Sequence, residues 1–217
     1  MKTYIIIPAL EKNSYSIKGD LLKWGDSNLL EWKIHQALQI KNITDIIVSS
    51  PSRNIQKIAK KYKVKFHYRK KDLSINSLHY DLSKKYKNSF LLWLNPTSPF
   101  ISPEIINSFL KKFLKNKNKF DSAIVIKKED EYFFYKGIPL NFSIKTKLVS
   151  RKIIKPLSKV TNGAFISSTN QTIKTKNIIG KKPLLFNVDW LRSLEIKTNN
   201  EIDLFNLLIK EYFKDSK

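Results

Sequence analysis

Phe90-Leu91-Leu92-Trp93-Leu94-Asn95-Pro96-Thr97-Ser98-Pro99-Phe100-Ile101-Ser102 is the most distinctive stretch of this chain. Its first part is an unbroken apolar run, the pattern of a strand covered on both faces. Pro96 and Pro99 then end the ladder, because neither carries a backbone N–H. Ser102-Pro103-Glu104 follows as an N-cap with proline in the first turn, so a helix begins at once. Strand, short turn and helix in that order make one step of a βαβ chain.

The alternation continues in both directions. Short apolar runs predict strands over 4–9, 45–50, 64–68, 90–95, 122–126, 163–168 and 184–188. Amphipathic segments between them predict helices over 29–40, 54–62, 77–86, 103–114 and 200–213, the last opened by a capping box from Thr198 to Glu201. That is an α/β chain with a mostly parallel sheet. From Glu131 to about Pro156 the pattern loosens, and Lys136-Gly137 is placed to turn a hairpin between aromatic strands, giving an arm over about 131–160. No internal repeat or low-complexity linker interrupts the 217 residues, so one domain is expected. In such a sheet ligands bind at the carboxyl ends of the strands. The loops to inspect are therefore 10–22, 51–53, 69–76, 96–102 and the turn after Val188.

Composition narrows the chemistry. The absence of cysteine excludes disulfides, thiolate metal cages and a cysteine nucleophile, and the scattered His35, His67 and His79 leave little for a zinc site. His35 sits beside Trp32 in a predicted helix, where packing is the expected role. The chain opens directly into Tyr4-Ile5-Ile6-Ile7-Pro8, and no apolar run reaches the ~18–20 residues of a membrane span, so a soluble, cytoplasmic protein is expected. Lys and Arg number 41 against 18 Asp and Glu, a net charge of +23 that invites a nucleic-acid reading. Only Arg53, Arg69, Arg151 and Arg192 are arginines, however, and the lysines fall at helix ends and solvated faces. Arg is the bidentate phosphate reader, so its scarcity argues against a basic nucleic-acid-binding module.

The strand running into Pro96-Thr97-Ser98-Pro99 and a capped helix resembles the cytidylyltransferases that activate acidic sugars, the acylneuraminate and related keto-deoxy sugar synthetases. Ile5-Ile6-Ile7-Pro8-Ala9 is similar to that family's opening strand, and Leu29-Leu30-Glu31-Trp32-Lys33-Ile34 to its first helix. Ile46-Ile47-Val48-Ser49-Ser50 resembles the second strand, and Asn162-Gly163-Ala164-Phe165-Ile166 a late strand bordering the sugar site. The resemblance implies a three-layer α/β/α, nucleotidyltransferase-like (Rossmann-like) fold. Its small β-rich arm would cross to a second subunit, making a homodimer. It implies CTP and an acidic sugar as substrates, CMP-sugar and pyrophosphate as products, and Mg²⁺ as cofactor, with surface-glycan synthesis as the setting.

Carried onto this chain, the resemblance places Pro8, Ala9, Leu10, Lys12, Lys18 and Arg69 against the nucleotide, and Asn95, Thr97, Ser98 and Asn162 against the sugar. Departures fall where the chemistry is. Leu10 stands where the family has an Arg, and the loop from Glu11 to Asp20 lacks the family's glycine-rich pattern, although Lys12 and Lys18 offer cations. Leu194-Glu195-Ile196-Lys197-Thr198 occupies the place of a metal-binding Asp-Ile-Asp-Thr. Three readings stay open there. Lys197 replaces the metal's charge directly, a catalytic residue alongside Lys18 on the triphosphate; Glu195 holds Mg²⁺ with Asp189 or the triphosphate; or the chain is a non-catalytic, nucleotide- or sugar-binding relative.

Overall fold

The structure, a computed structural model, describes residues 1–13, 18–70, 73–144 and 154–212. Its frame is a seven-stranded sheet. In chain order the strands are β1 (Lys2–Pro8), β4 (Asp45–Ser50), β5 (Lys65–Tyr68), β6 (Ser89–Leu94), β7 (Ser122–Glu129), β10 (Leu157–Ser168) and β11 (Pro183–Asn187). Two small antiparallel ribbons, β2 (Lys23–Trp24) with β3 (Ser27–Asn28) and β8 (Phe134–Tyr135) with β9 (Ile138–Pro139), lie outside it. The helices are α1 (Leu29–Leu38), α2 (Arg53–Lys61), α3 (Ile75–Lys85), α4 (Pro103–Lys115), α5 (Thr169–Thr175) and α6 (Asn199–Tyr212). Across the sheet the order is β11-β7-β10-β6-β1-β4-β5, and β10 alone runs antiparallel to its neighbours β6 and β7.

Strand alternation builds the two faces. Ile5, Ile7, Leu92 and Leu94 enter the cluster that also holds α1, α2 and α4 through Ile34, Ile55 and Phe109. Ile6, Leu91 and Trp93 point the other way, onto Leu78 and Leu82 of α3. Helices on both faces of a mostly parallel sheet make this the three-layer α/β fold expected from the sequence. A third cluster packs Phe205 and Ile202 of α6 against Trp24 and Phe100. Helix starts are set by side chains accepting from the backbone three residues on: Asn28, Ser52, Ser74, Ser102 and Ser168. Ser102 with Pro103 opens α4 as the sequence predicts.

Several elements differ from the sequence expectation. β10 begins at Leu157 rather than 163, because its first half pairs with the far end of β7, from Glu129 to Ile126, before a register shift between Val160 and Phe165. Lys159, Thr161 and Asn162 hide that half from an apolar-run reading. α5 and the β2–β3 ribbon have no apolar run to announce them. The hairpin at Lys136-Gly137 forms, with both residues at positive φ (50° and 80°), as a tight turn between right-twisted strands requires. Part of the expected 131–160 arm lies outside the described residues. Among the described residues no helix is long and apolar enough to cross a membrane.

Candidate active site

From β1 the chain moves outward to β4 and β5, then returns to add β6 on the other side of β1. The connections that leave the carboxyl ends of the paired strands β1 and β6 therefore run in opposite directions, leaving a crevice at the point where strand order reverses. A cleft of about 240 Å³ opens there. Pro8, Ala9 and Leu10 form one wall, Asn95, Thr97 and Asn162 another, and Arg69 and Glu195 close it. These eight residues, expected at the site from sequence, are brought together.

The β1 wall is pinned by a residue that sequence reading did not single out. Asp20 Oδ2 accepts the Leu10 N–H at 2.8 Å, and the Asp20 N–H donates to the Leu10 carbonyl at 2.9 Å, so the loop after β1 is closed at its neck by a reciprocal pair. Gly19 permits this closure. Its φ is +49°, and a Cβ there would lie 2.3 Å from the Leu10 carbonyl oxygen. Asp20 is buried, and burial pushes its carboxyl up to about 7 against the opposing pull of the Leu10 N–H and of Arg69. Arg69, also buried, donates from Nε to the Ser49 carbonyl at 3.4 Å and receives its charge partner in Asp20. A fixed guanidinium at the cleft wall results.

The opposite wall is a chain of amides. Trp93 Nε1 donates to Asn95 Oδ1 (3.0 Å), Asn95 Nδ2 to the Asn162 carbonyl (2.7 Å), and Asn162 Nδ2 to Glu195 Oε1 (2.6 Å). The Ile196 N–H returns to the Thr97 carbonyl at 2.8 Å. Glu195, with its side chain only 10% exposed, is thus held by Asn162 on one oxygen, while Lys197 Nζ stands 3.6 Å from the other. Lys197 does not line this cleft. It faces a second one of about 300 Å³, which shares Glu195 with the first and is also lined by Lys127, Lys159 and Trp190.

The remaining expected residues lie elsewhere. Asp189 accepts from the Arg192 side chain at 2.5 Å and is not part of either cleft's wall. Lys12 and Lys18 are exposed on either side of residues 14–17, which are outside the described set. Ser98, within the 96–99 loop, is buried. Under it lies Lys33, 1% exposed, donating to the Ser98 carbonyl (2.8 Å) and to Gln36 Oε1 (2.7 Å). A helical reading does carry the signal: Lys33 falls in the Leu30, Ile34, Ala37 stripe that α1 buries.

Desolvation alone pushes the Lys33 amine down to about 7. Between that value and the ordinary 10.5 the unfolded chain keeps a proton that the folded chain has released, so stability contributed at this position rises with pH across the window. Urea midpoints of the wild type should therefore climb from pH 7 to pH 9.5 relative to Lys33→Met. Parallel curves for the two proteins would refute the burial argument.

The family profile described as cytidylyltransferase matches residues 6–161, which span β1 to β10 and most of the cleft. The chain belongs to the cytidylyltransferase family. Among solved structures, this cytidylyltransferase is similar to a CMP:2-keto-3-deoxy-manno-octonic acid synthetase complexed with CTP, at 13% identity and TM-score 0.73 over 98% of this chain and 100% of that one. The 4-diphosphocytidyl-2C-methyl-D-erythritol synthase of Anaerococcus prevotii matches at 14% identity and TM-score 0.71, over 96% of each chain. A cytidylyltransferase of Leptospira borgpetersenii matches at 16% and 0.66, over 97% of this chain and 87% of that one. Comparison with curated protein sequences returns no match. At these identities the structural likeness establishes the nucleotidyltransferase-like fold, and the family match establishes the cytidylyltransferase assignment.

Proposed function

We propose that this cytidylyltransferase transfers CMP from CTP to a hydroxyl of an acidic, keto-deoxy or sialic-acid-like sugar, releasing pyrophosphate, for surface-glycan synthesis. The observation that carries the reading is the pair of adjoining clefts meeting at Glu195. One lies at the strand-order reversal with the buried Arg69 at its wall; the other presents Lys127, Lys159 and Lys197. A triphosphate and an anionic acceptor both need cationic walls, and their reacting atoms must meet between them. In the reaction the acceptor oxygen attacks the α-phosphorus, the bond to the bridging oxygen of the leaving pyrophosphate breaks, and the hydroxyl proton passes to solvent or a nearby base.

A protein-held Mg²⁺ does not fit the residues present. Glu195 is engaged by Asn162 and Lys197, Asp189 is engaged by Arg192, and among the described residues no three Asp, Glu or His side chains gather to hold a metal. In this proposal the α-phosphoryl charge is met by Arg69, Lys197 and the loop lysines Lys12 and Lys18, with Mg²⁺ arriving only on the triphosphate. Asn95, Thr97 and Asn162 orient the sugar, and Pro8, Ala9 and Leu10 the base. The chain acts in this reading as a single-domain subunit of a cytoplasmic homodimer, a reading supported by the exposed Phe134, Tyr135 and Ile138 on the hairpin.

Incubating the protein with CTP, Mg²⁺ and a panel of keto-deoxy and sialic-type acids should release pyrophosphate with CTP in preference to UTP, ATP and GTP. CTP binding without turnover on any acceptor would instead mark a non-catalytic relative. No CTP binding would overturn the reading.

A further inference from the structure

The loop that carries Asn95 and Thr97 over the cleft cannot be held by its own donors. Pro96 and Pro99 lack N–H groups, and within the turn the Ser98 N–H reaches the Asn95 carbonyl only at 3.3 Å. Its carbonyls are gripped instead from α1, by side chains one helical turn apart. Lys33 donates to the Ser98 carbonyl at 2.8 Å, while Gln36 Nε2 and Trp32 Nε1 donate to the Pro99 carbonyl at 2.8 and 3.0 Å. Gln36 is itself oriented by Lys33, whose Nζ lies 2.7 Å from its Oε1.

A lysine is an expensive choice for that task. Fully buried lysines are rare, and among the described residues this one has no carboxylate partner: its acceptors there, Gln36 Oε1 and the Ser98 carbonyl, are neutral, and burial lowers its proton affinity. An apolar residue would suit the α1 core stripe better. What the amine adds is reach and two simultaneous donors, delivered where a proline-bounded loop exposes carbonyls. Past Ser98 the grip extends to the reacting region. The Thr97 carbonyl accepts the Ile196 N–H, so the height of the 96–99 loop also sets the segment bearing Glu195 and Lys197 at the junction of the two clefts.

We propose that Lys33 is a positioning residue for the transfer, holding the 96–99 loop through the Ser98 carbonyl and thereby fixing Asn95, Thr97 and the 195–197 segment over the cleft. Its kinetic consequence rests on the proposed reaction; its structural consequence does not. Lys33→Met keeps an unbranched side chain, one atom shorter, and removes the donor. In this variant the ¹H–¹⁵N indole signals of Trp32 and Trp93, which donate to Pro99 and Asn95, should move. With a productive acceptor, kcat should fall about tenfold with KM for CTP within about twofold, because misplacement acts on the reacting geometry.

The chain has no cysteine, which permits a chemical rescue. Lys33→Cys is alkylated in the unfolded state with 2-bromoethylamine or, as the donor-free isostere, with bromopropane, and both products are refolded alike. The aminoethyl product should recover the wild-type indole signals and rate, and the propyl product should not. Equal recovery by both products would show that Lys33 only fills space, and unmoved Trp32 and Trp93 signals in folded Lys33→Met would overturn the proposal. If no acceptor is turned over, the proposed function fails while the indole signals still decide the role of Lys33.

Discussion

Gly19→Ala should destabilise the protein by about 3 kcal/mol and abolish CTP binding. The left-handed conformation at φ +49° costs a residue with a Cβ about 1–2 kcal/mol, and forced overlap in a packed region adds about 1–3. The overlap cannot be relieved by a side-chain rotation. The new methyl would meet backbone atoms, the Leu10 carbonyl oxygen at 2.3 Å, the Glu11 carbonyl carbon at 2.7 Å and the Lys12 nitrogen at 2.8 Å. Relief must come from parting the Leu10–Asp20 neck, which moves one wall of the cleft and separates buried Asp20 from its N–H partner. Gly25→Ala supplies the control, since Gly25 also has positive φ (+56°) but open space around it. It should show the conformational cost of about 1–2 kcal/mol and retain CTP binding. Urea unfolding and calorimetric titration with CTP measure both effects. Equal losses in the two variants would mean that the neck does not shape the nucleotide wall.

How much of this was legible in the sequence depended on range. The strand–turn–helix at 90–115 was readable because every signal in it is local: the apolar run, the prolines that stop it and the Ser102 cap act within a few residues. The strands β1, β4, β5 and β6 were visible as apolar runs in the same alternation, but their order across the sheet was not. Arg69, Asn95 and Asn162 reached the cleft as expected, the first from the end of a strand and the others through resemblance. The neck was not readable, since Leu10, Asp20 and Arg69 meet only after β1, β4 and β5 pair. The first half of β10 was hidden by the polar residues that face its cleft, which is the usual cost of placing function on a strand. Lys33 was missed for a different reason: among so many lysines one more looks like surface, and only its position in the apolar stripe of α1 separates it from the rest.

The net charge of +23 therefore says less about function than the placement of single charges near Glu195. Asn162→Asp tests that placement. The substitution keeps the main-chain carbonyl that receives Asn95 but replaces the donor 2.6 Å from Glu195 Oε1 with a second carboxylate. Two carboxyl groups so close cannot both ionise, and they share a proton with an apparent affinity above the ordinary carboxylate range. Through the pH window between the ordinary value and that raised one, the folded chain binds a proton the unfolded chain has released, so stability falls as pH rises. An unpaired buried charge costs about 3–5 kcal/mol, and Lys197 at 3.6 Å together with partial exposure of Asn162 reduces this to about 2 kcal/mol at pH 8. Asn162→Ala loses the donor without adding charge, and its deficit should vary with pH far less than that of the aspartate variant. Near pH 4.5 the aspartate variant should instead approach the wild type, because the shared proton restores a donor to Glu195. At pH 8 its transfer rate should drop about a hundredfold, since the repelled Glu195 carries the 195–197 segment away from the junction of the clefts. Chemical denaturation at the two pH values decides the matter: a deficit for Asn162→Asp as flat as that of the alanine variant would mean that Asn162 and Glu195 do not face each other as an amide–carboxylate pair.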